Sequence, residues 1–147
     1  MDRLGKFLKL PGSDRRLLMK AALLVWAFRM ALWLLPFRVV RRFMARFAHE
    51  TVASGEGSVP VDRVVWAVTV ASRYAPAATC LTQALATKLL LARCGHQATV
   101  RIGVARHGGG ELQAHAWVES NGRVVIGGLE SSLKDYTPLA AADGELW

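Results

Sequence analysis

Cysteine is scarce in this chain, with two thiols, Cys80 and Cys94, in 147 residues. The Leu/Ala-rich stretch between them reads as one helix, and that much helix separates its ends by about 21 Å. A disulfide needs Cα atoms within about 7 Å. The two cannot bridge, so a disulfide-held scaffold is excluded and a reduced, cytoplasmic setting is expected. Acidic residues are scarce at one end only. Residues 1–50 hold 11 Lys/Arg against 3 Asp/Glu, whereas residues 51–147 hold 8 of each. The whole net charge of +8 therefore belongs to the N-terminal segment. That excludes a nucleic-acid-binding core and points to a basic arm that meets an acidic partner or a membrane surface. Internal repeats and low-complexity tracts are missing, and a hydrophobic content of 52% excludes a disordered chain. The length suits one domain with a real core.

One long hydrophobic run is present, "LLMKAALLVWAFRMALWLL" (Leu17 to Leu35). Lys20 and Arg29 interrupt it, and a charge near the centre of a membrane span costs about 2.5–3.5 kcal/mol on insertion scales. No small-residue cleavage site comes after it. The expectation is a soluble-protein helix with most of its surface buried; peripheral membrane contact stays open but is not expected.

"LPGSDRR" reads as the start of that helix, with Ser13 as N-cap and Asp14 in the first turn. Pro36 ends it and begins a second basic helical piece, "FRVVRRFMARFAHE". "TVASGEGSVP" is linker-like and coincides with the shift in charge. The expected organisation is a basic helical subdomain over residues 1–50, a linker over 51–60 and a core over 61–147. After Pro60, Val61, Val64, Val65, Val68 and Ala71 fall at helical spacing. "CLTQALATKLLLARCG" is the clearest helix, with Thr79 as cap and Gly95 as the left-handed residue after its end; its nearly all-apolar surface marks it as buried. Beyond Gly95 the pattern turns to β. "ATVRIGVAR" alternates, "HGGG" is a loose loop, and "ELQAHAWVE" meets "RVVIGG" across Asn121-Gly122, a type I′ hairpin turn. The layout is α+β: helices, one buried helix, then a three-stranded antiparallel meander.

Two residues in that layout suit nucleophilic chemistry. Cys80 opens the buried helix, where unpaired N–H groups and the dipole favour a thiolate. The same N–H groups can hold the oxyanion formed on an attacked carbonyl. His115 can serve as base towards the thiol and as acid towards a leaving amine. Cys94 is a poor rival, because it lies at the negative end of the same helix. A small buried cysteine and a hydrogen-bonded strand histidine are the bland alternatives. If the hairpin register continues from Ser120–Arg123, His115 pairs with Gly128, and Glu130 points to the same face one pleat further on. Glu130 is then the nearest carboxylate able to orient the ring, with Asp135 too far along. Trp117, two residues from His115, walls the cleft or belongs to the core.

"TCLTQALATKLLLARCGHQATVRIGVAR", with "LQAHAWVESNGRVVIGG" and "YTPL" after it, resembles the leader peptidase family of lasso-peptide biosynthesis, small transglutaminase-like cysteine proteases. The resemblance covers residues 60–140. It implies a transglutaminase-like (papain-like) core, its nucleophile helix packed on a small antiparallel sheet, with Cys80 as nucleophile and His115 as partner. On this reading His115 faces the N-terminus of the Cys80 helix. Members commonly place an aspartate on the strand after the hairpin, where this chain has Gly127 and Gly128. Either Glu130 substitutes as the third catalytic member, or a backbone carbonyl or water orients the ring.

The resemblance also implies a substrate and partners. The substrate would be a ribosomally made precursor peptide, cut to free the α-amine that a separate ATP-dependent lasso cyclase joins to a side chain. A small leader-recognition protein would deliver it, docking with the basic N-terminal helices, which could also receive the cyclase. No cofactor, metal or nucleic acid is expected. Two other readings stay open. One is a transglutaminase-like acyltransferase using the same thioester step, the other a non-catalytic peptide-binding protein whose site has decayed.

Overall fold

The computed structural model describes residues 5, 8–50, 59–106, 108–128 and 130–141. The elements run α1 (Gly12–Leu34), α2 (Phe37–Glu50), α3 (Val61–Ser72), α4 (Cys80–Arg93), β1 (Thr99–Arg106), β2 (Leu112–Ser120), β3 (Arg123–Ile126), the short α5 (Glu130–Leu133) and β4 (Thr137–Ala141). The expected linker lies outside the described residues as far as position 58.

α1 begins two residues earlier than Ser13 capping would allow. Its N-cap is Pro11, which makes no side-chain cap bond but accepts from Arg15 N through its carbonyl at 3.0 Å. Proline fixes φ near the value the chain needs on entry, so the helix starts without the serine. Asp14 stands in the first turn as expected and pairs with Arg63 of α3. At the far end Leu35 is extended, the conformation that a following proline imposes. The expectation that α1 is mostly buried is overturned: 17% of its most apolar stretch is buried. Leu17, Ala21 and Val25 are buried along one strip, four residues apart, and Leu18, Ala22, Leu24, Phe28, Ala31 and Leu32 pack half-buried on either side of it.

That strip enters the same core as α3 and α4. Val64, Val68 and Ala71 of α3 are buried as expected and Ala67 joins them, whereas Val61 and Val65 are half-buried against the core. α4 is the central helix, burying Ala84, Ala86, Leu90 and Leu91 in the main cluster, and Leu85 and Leu89 against Val40 and Met44 of α2. Its ends are built as read from the sequence. Thr79 Oγ1 accepts from Thr82 N at 3.3 Å, and Gly95 takes a φ of 79° while His96 N returns to Leu91 O at 2.9 Å.

Asn121 and Gly122 have φ values of 51° and 74°, and Ser120 pairs with Arg123, as a type I′ turn requires. The sheet is antiparallel in the order β3-β2-β1-β4. β4 is an addition to the expected meander. Pro138 hides it from a propensity reading, yet an edge strand tolerates proline. Val100, Ala116, Val118 and Ile126 join the helical core, which fixes the sheet face turned towards the helices.

Candidate active site

Cys80 is the first residue of α4, half-buried against the main core and carrying a free thiol. The helix start leaves specific donors for chemistry. Thr82 N is taken by the Thr79 side chain and Gln83 N by the Thr79 carbonyl at 3.1 Å. The N–H groups of Cys80 and Leu81 have no backbone acceptor among the described residues, so they can serve a negative oxygen beside the thiol. Cys94 is the C-cap of the same helix, and burial pushes its thiol up, with Lys20 opposing. Burial therefore disfavours the thiolate form of Cys94 that a nucleophile needs.

His115 lies on β2 opposite Gly103 of β1. Its Nε2 is hydrogen-bonded to the Gly127 carbonyl. A carbonyl only accepts, so Nε2 carries the proton and Nδ1 keeps its lone pair. The ring centroid is 5.5 Å from that of Tyr136 and 6.5 Å from that of Trp117. Trp117 is buried over Gly103, where any side chain would meet its ring at 2.9 Å, and its Nε1 donates to Glu119 Oε1 at 3.0 Å. Glu119 in turn accepts from Arg101 Nε at 3.3 Å. Trp117 is therefore buried, as part of an aromatic cluster beneath His115 rather than in the main core.

Side chains alternate across a strand. Ala116 and Val118 cover the helices, so His115 and Trp117 occupy the other face of β2. The ring that the sequence aims at the N-terminus of the Cys80 helix thus leaves the face of β2 that packs in the helical core. The apolar parity of β2 follows the helical core, and the histidine takes the opposite parity. Cys80 and His115 share no hydrogen bond.

The expected His115–Gly128 pairing is shifted as well. Glu119 pairs with Val124 but Val118 pairs with Ile126, so Val125 is an extra residue that moves the register by one. β3 then ends at Ile126 and Glu130 opens α5, which removes the extended geometry that aimed Glu130 at the ring. The Glu130 side chain lies outside the described residues. The two glycines carry what takes its place. Gly127 has a φ of 105°, and a Cβ there would fall 2.6 Å from Trp117 Cβ and 2.8 Å from the Ala116 carbonyl oxygen. No aspartate fits at Gly127 on this backbone, and the glycine brings its own carbonyl to the ring instead. A Cβ at Gly128 would stand 4.0 Å from His115 Nε2, so the ring rests against the glycine. Sequence reasoning named a backbone carbonyl as an option but not which one; the Gly-Gly pair beside the hairpin was the available signal.

Among the described residues, no three His, Cys, Asp or Glu side chains converge to hold a metal ion. Comparisons with curated proteins and with solved structures give no match. Among known families, the match covers residues 20–141, which takes in most of α1, the Cys80 helix and the whole sheet. The chain belongs to the transglutaminase-like superfamily.

Proposed function

We propose that this protein is a cysteine peptidase that removes the leader from a ribosomally made lasso-peptide precursor. The observation that carries the chemistry is the free, half-buried thiol at the first residue of α4; His115, its ring held by the Gly127 carbonyl, is the base this reading assigns to it. The superfamily supports protease or acyl-transfer chemistry through a thioester. The leader-peptidase assignment rests on the sequence resemblance over residues 60–140.

In this reading, peptide binding brings the Cys80 thiol and His115 Nδ1 together. Nδ1 takes the thiol proton, and the sulfur attacks the scissile carbonyl. The resulting oxyanion accepts from the N–H groups of Cys80 and Leu81. As the C–N bond breaks, the proton on Nδ1 passes to the departing amine, leaving the leader as a thioester on Cys80. Water, deprotonated by Nδ1, then hydrolyses the thioester and returns the thiol. The Gly127 carbonyl stabilises the imidazolium while it exists, as a carboxylate would more strongly. The freed amine suits a separate ATP-dependent cyclase, and a small leader-recognition protein would raise the effective concentration of the precursor.

The test is incubation with a precursor peptide, with and without the recognition protein, read by mass. Hydrolysed leader and core, faster with the partner, support the peptidase. An amine-linked product instead identifies an acyltransferase. A specific observation favours the non-catalytic reading: Cys80 and His115 share no hydrogen bond. Peptide binding without any covalent product would establish it.

A further inference from the structure

α1 carries an apolar face that the fold leaves uncovered. Met19, Leu23, Trp26, Met30 and Trp33 are all exposed, and Leu23 and Trp33 reach 70%. They recur at alternating spacings of four and three, and at 3.6 residues per turn they fall within roughly 80° of arc. Leu34 widens the stripe at its end. The inward strip of Leu17, Ala21 and Val25 lies on the other side, so the exposed stripe adds nothing to the core.

The borders of the stripe are cationic. Arg29 lies within about 40° of one edge, and Arg16 and Lys20 lie within about 60° of the other. The one acid on α1, Asp14, is tied to Arg63. α2 adds to the charge, because Arg38, Arg42 and Arg46 are exposed along with Phe43 while Val40 and Met44 face inward.

This combination selects among occupants. A transient protein partner meets a surface no more apolar than the rest of a protein, whereas the apolar stretch of α1 has a mean hydropathy of 1.7. A second copy would cover the stripe but would bring two chains of net charge +8 together, cation against cation. An anionic lipid surface satisfies both features: Trp, Leu and Met enter the headgroup boundary while flanking Lys and Arg reach the phosphates. We propose that α1 lies in the plane of an anionic phospholipid membrane, its Met19–Trp33 stripe buried in the interface and the rest of the protein above it. None of the residues involved belongs to the proposed catalytic chemistry, so the two readings stand or fall separately.

The experiment is co-sedimentation of the full chain with phosphatidylcholine vesicles, with and without a one-in-four share of phosphatidylglycerol. Partitioning at least tenfold stronger onto the anionic vesicles, and weakened by molar salt, is expected. Lys20→Glu and Arg16→Glu should each lower it by about fivefold or more, from the usual contribution of one cation near such a surface. The Leu23→Glu/Trp33→Glu double variant should lower it at least tenfold at unchanged circular dichroism. If that variant does not fold, the two charge reversals still decide. Absence of binding, equal binding to neutral and anionic vesicles, or wild-type binding by the charge reversals would overturn the proposal. So would a wild-type dimer in sedimentation equilibrium that the double variant abolishes, since the stripe would then belong to a second copy.

Discussion

The Nε2 of His115 is held by the main-chain carbonyl of Gly127, one residue beyond the end of β3. Because the acceptor is backbone, no side-chain substitution removes it directly, but it leaves a spectroscopic signature. Neutral His115 should be the Nε2–H tautomer, with Nδ1 as the unprotonated nitrogen. Long-range nitrogen-proton correlation spectra of the labelled ring report this assignment, and an Nδ1–H tautomer would contradict the geometry.

The same geometry predicts an unusual sensitivity at Gly127. Adding one methyl there drives a Cβ to 2.6 Å from Trp117 Cβ at a φ of 105°. Backbone strain and overpacking together should make Gly127→Ala destabilising by roughly 2–5 kcal/mol. Gly108, with nothing within 4 Å of its Cβ direction, is the control and should tolerate alanine. Urea unfolding of the two variants makes the comparison, and equal midpoints would refute it.

With the ring already held by a carbonyl, a carboxylate is dispensable. Glu130→Gln and Asp135→Asn are both expected to keep precursor cleavage within about threefold of wild type, far from the roughly 10⁴ lost when a triad carboxylate is removed from a serine protease. Single-turnover rates decide. A loss of two orders of magnitude in Glu130→Gln alone would restore that residue as the third member.

Two groups off the site predict opposite responses to alkali. Burial lowers Lys88 from 10.5 to about 8, so between these values the unfolded chain holds a proton that the folded chain has released. Stability from this group therefore rises with pH from about 8 to 10.5. Burial raises Cys94 above 9.0, so above that value the folded chain keeps a proton that the unfolded chain loses, and stability falls. Thermal melts from pH 7 to 10.5 test both signs. Relative to wild type, Lys88→Met should lose the rising contribution, and Cys94→Ala should lose the falling one. A Lys88→Met curve parallel to wild type would contradict the first.

Much of the fold was legible because its signals are local. Thr79 and Gly95 bound α4, Asn121-Gly122 sets the hairpin, and the valine spacing in α3 gives its buried face. Other features depend on partners that no short window contains. α1 looks like a buried helix from composition, yet it docks by one face only, with Leu17, Ala21 and Val25 buried and their neighbours half-buried, while the Met19–Trp33 face stays outside. The extra residue at Val125 shifts a register that counting back from the turn cannot detect, and with it the place of Glu130. β4 is held by pairing with β1 rather than by propensity. For the site, helix polarity singled out Cys80 over Cys94, and the hairpin placed His115 on β2. Which way His115 faces is set by the Ala116 and Val118 parity against the helices.

The central claim is that His115 activates the Cys80 thiol. Alkylation by iodoacetamide followed by peptide mass mapping measures this at each cysteine separately, without knowledge of the substrate. Near neutral pH, Cys80 should react at least tenfold faster than Cys94, which burial holds in the thiol form. His115→Gln, folded by circular dichroism, should lower the Cys80 rate at least tenfold and leave Cys94 unchanged. A Cys80 rate that is the same in wild type and His115→Gln across the pH range would contradict the pairing.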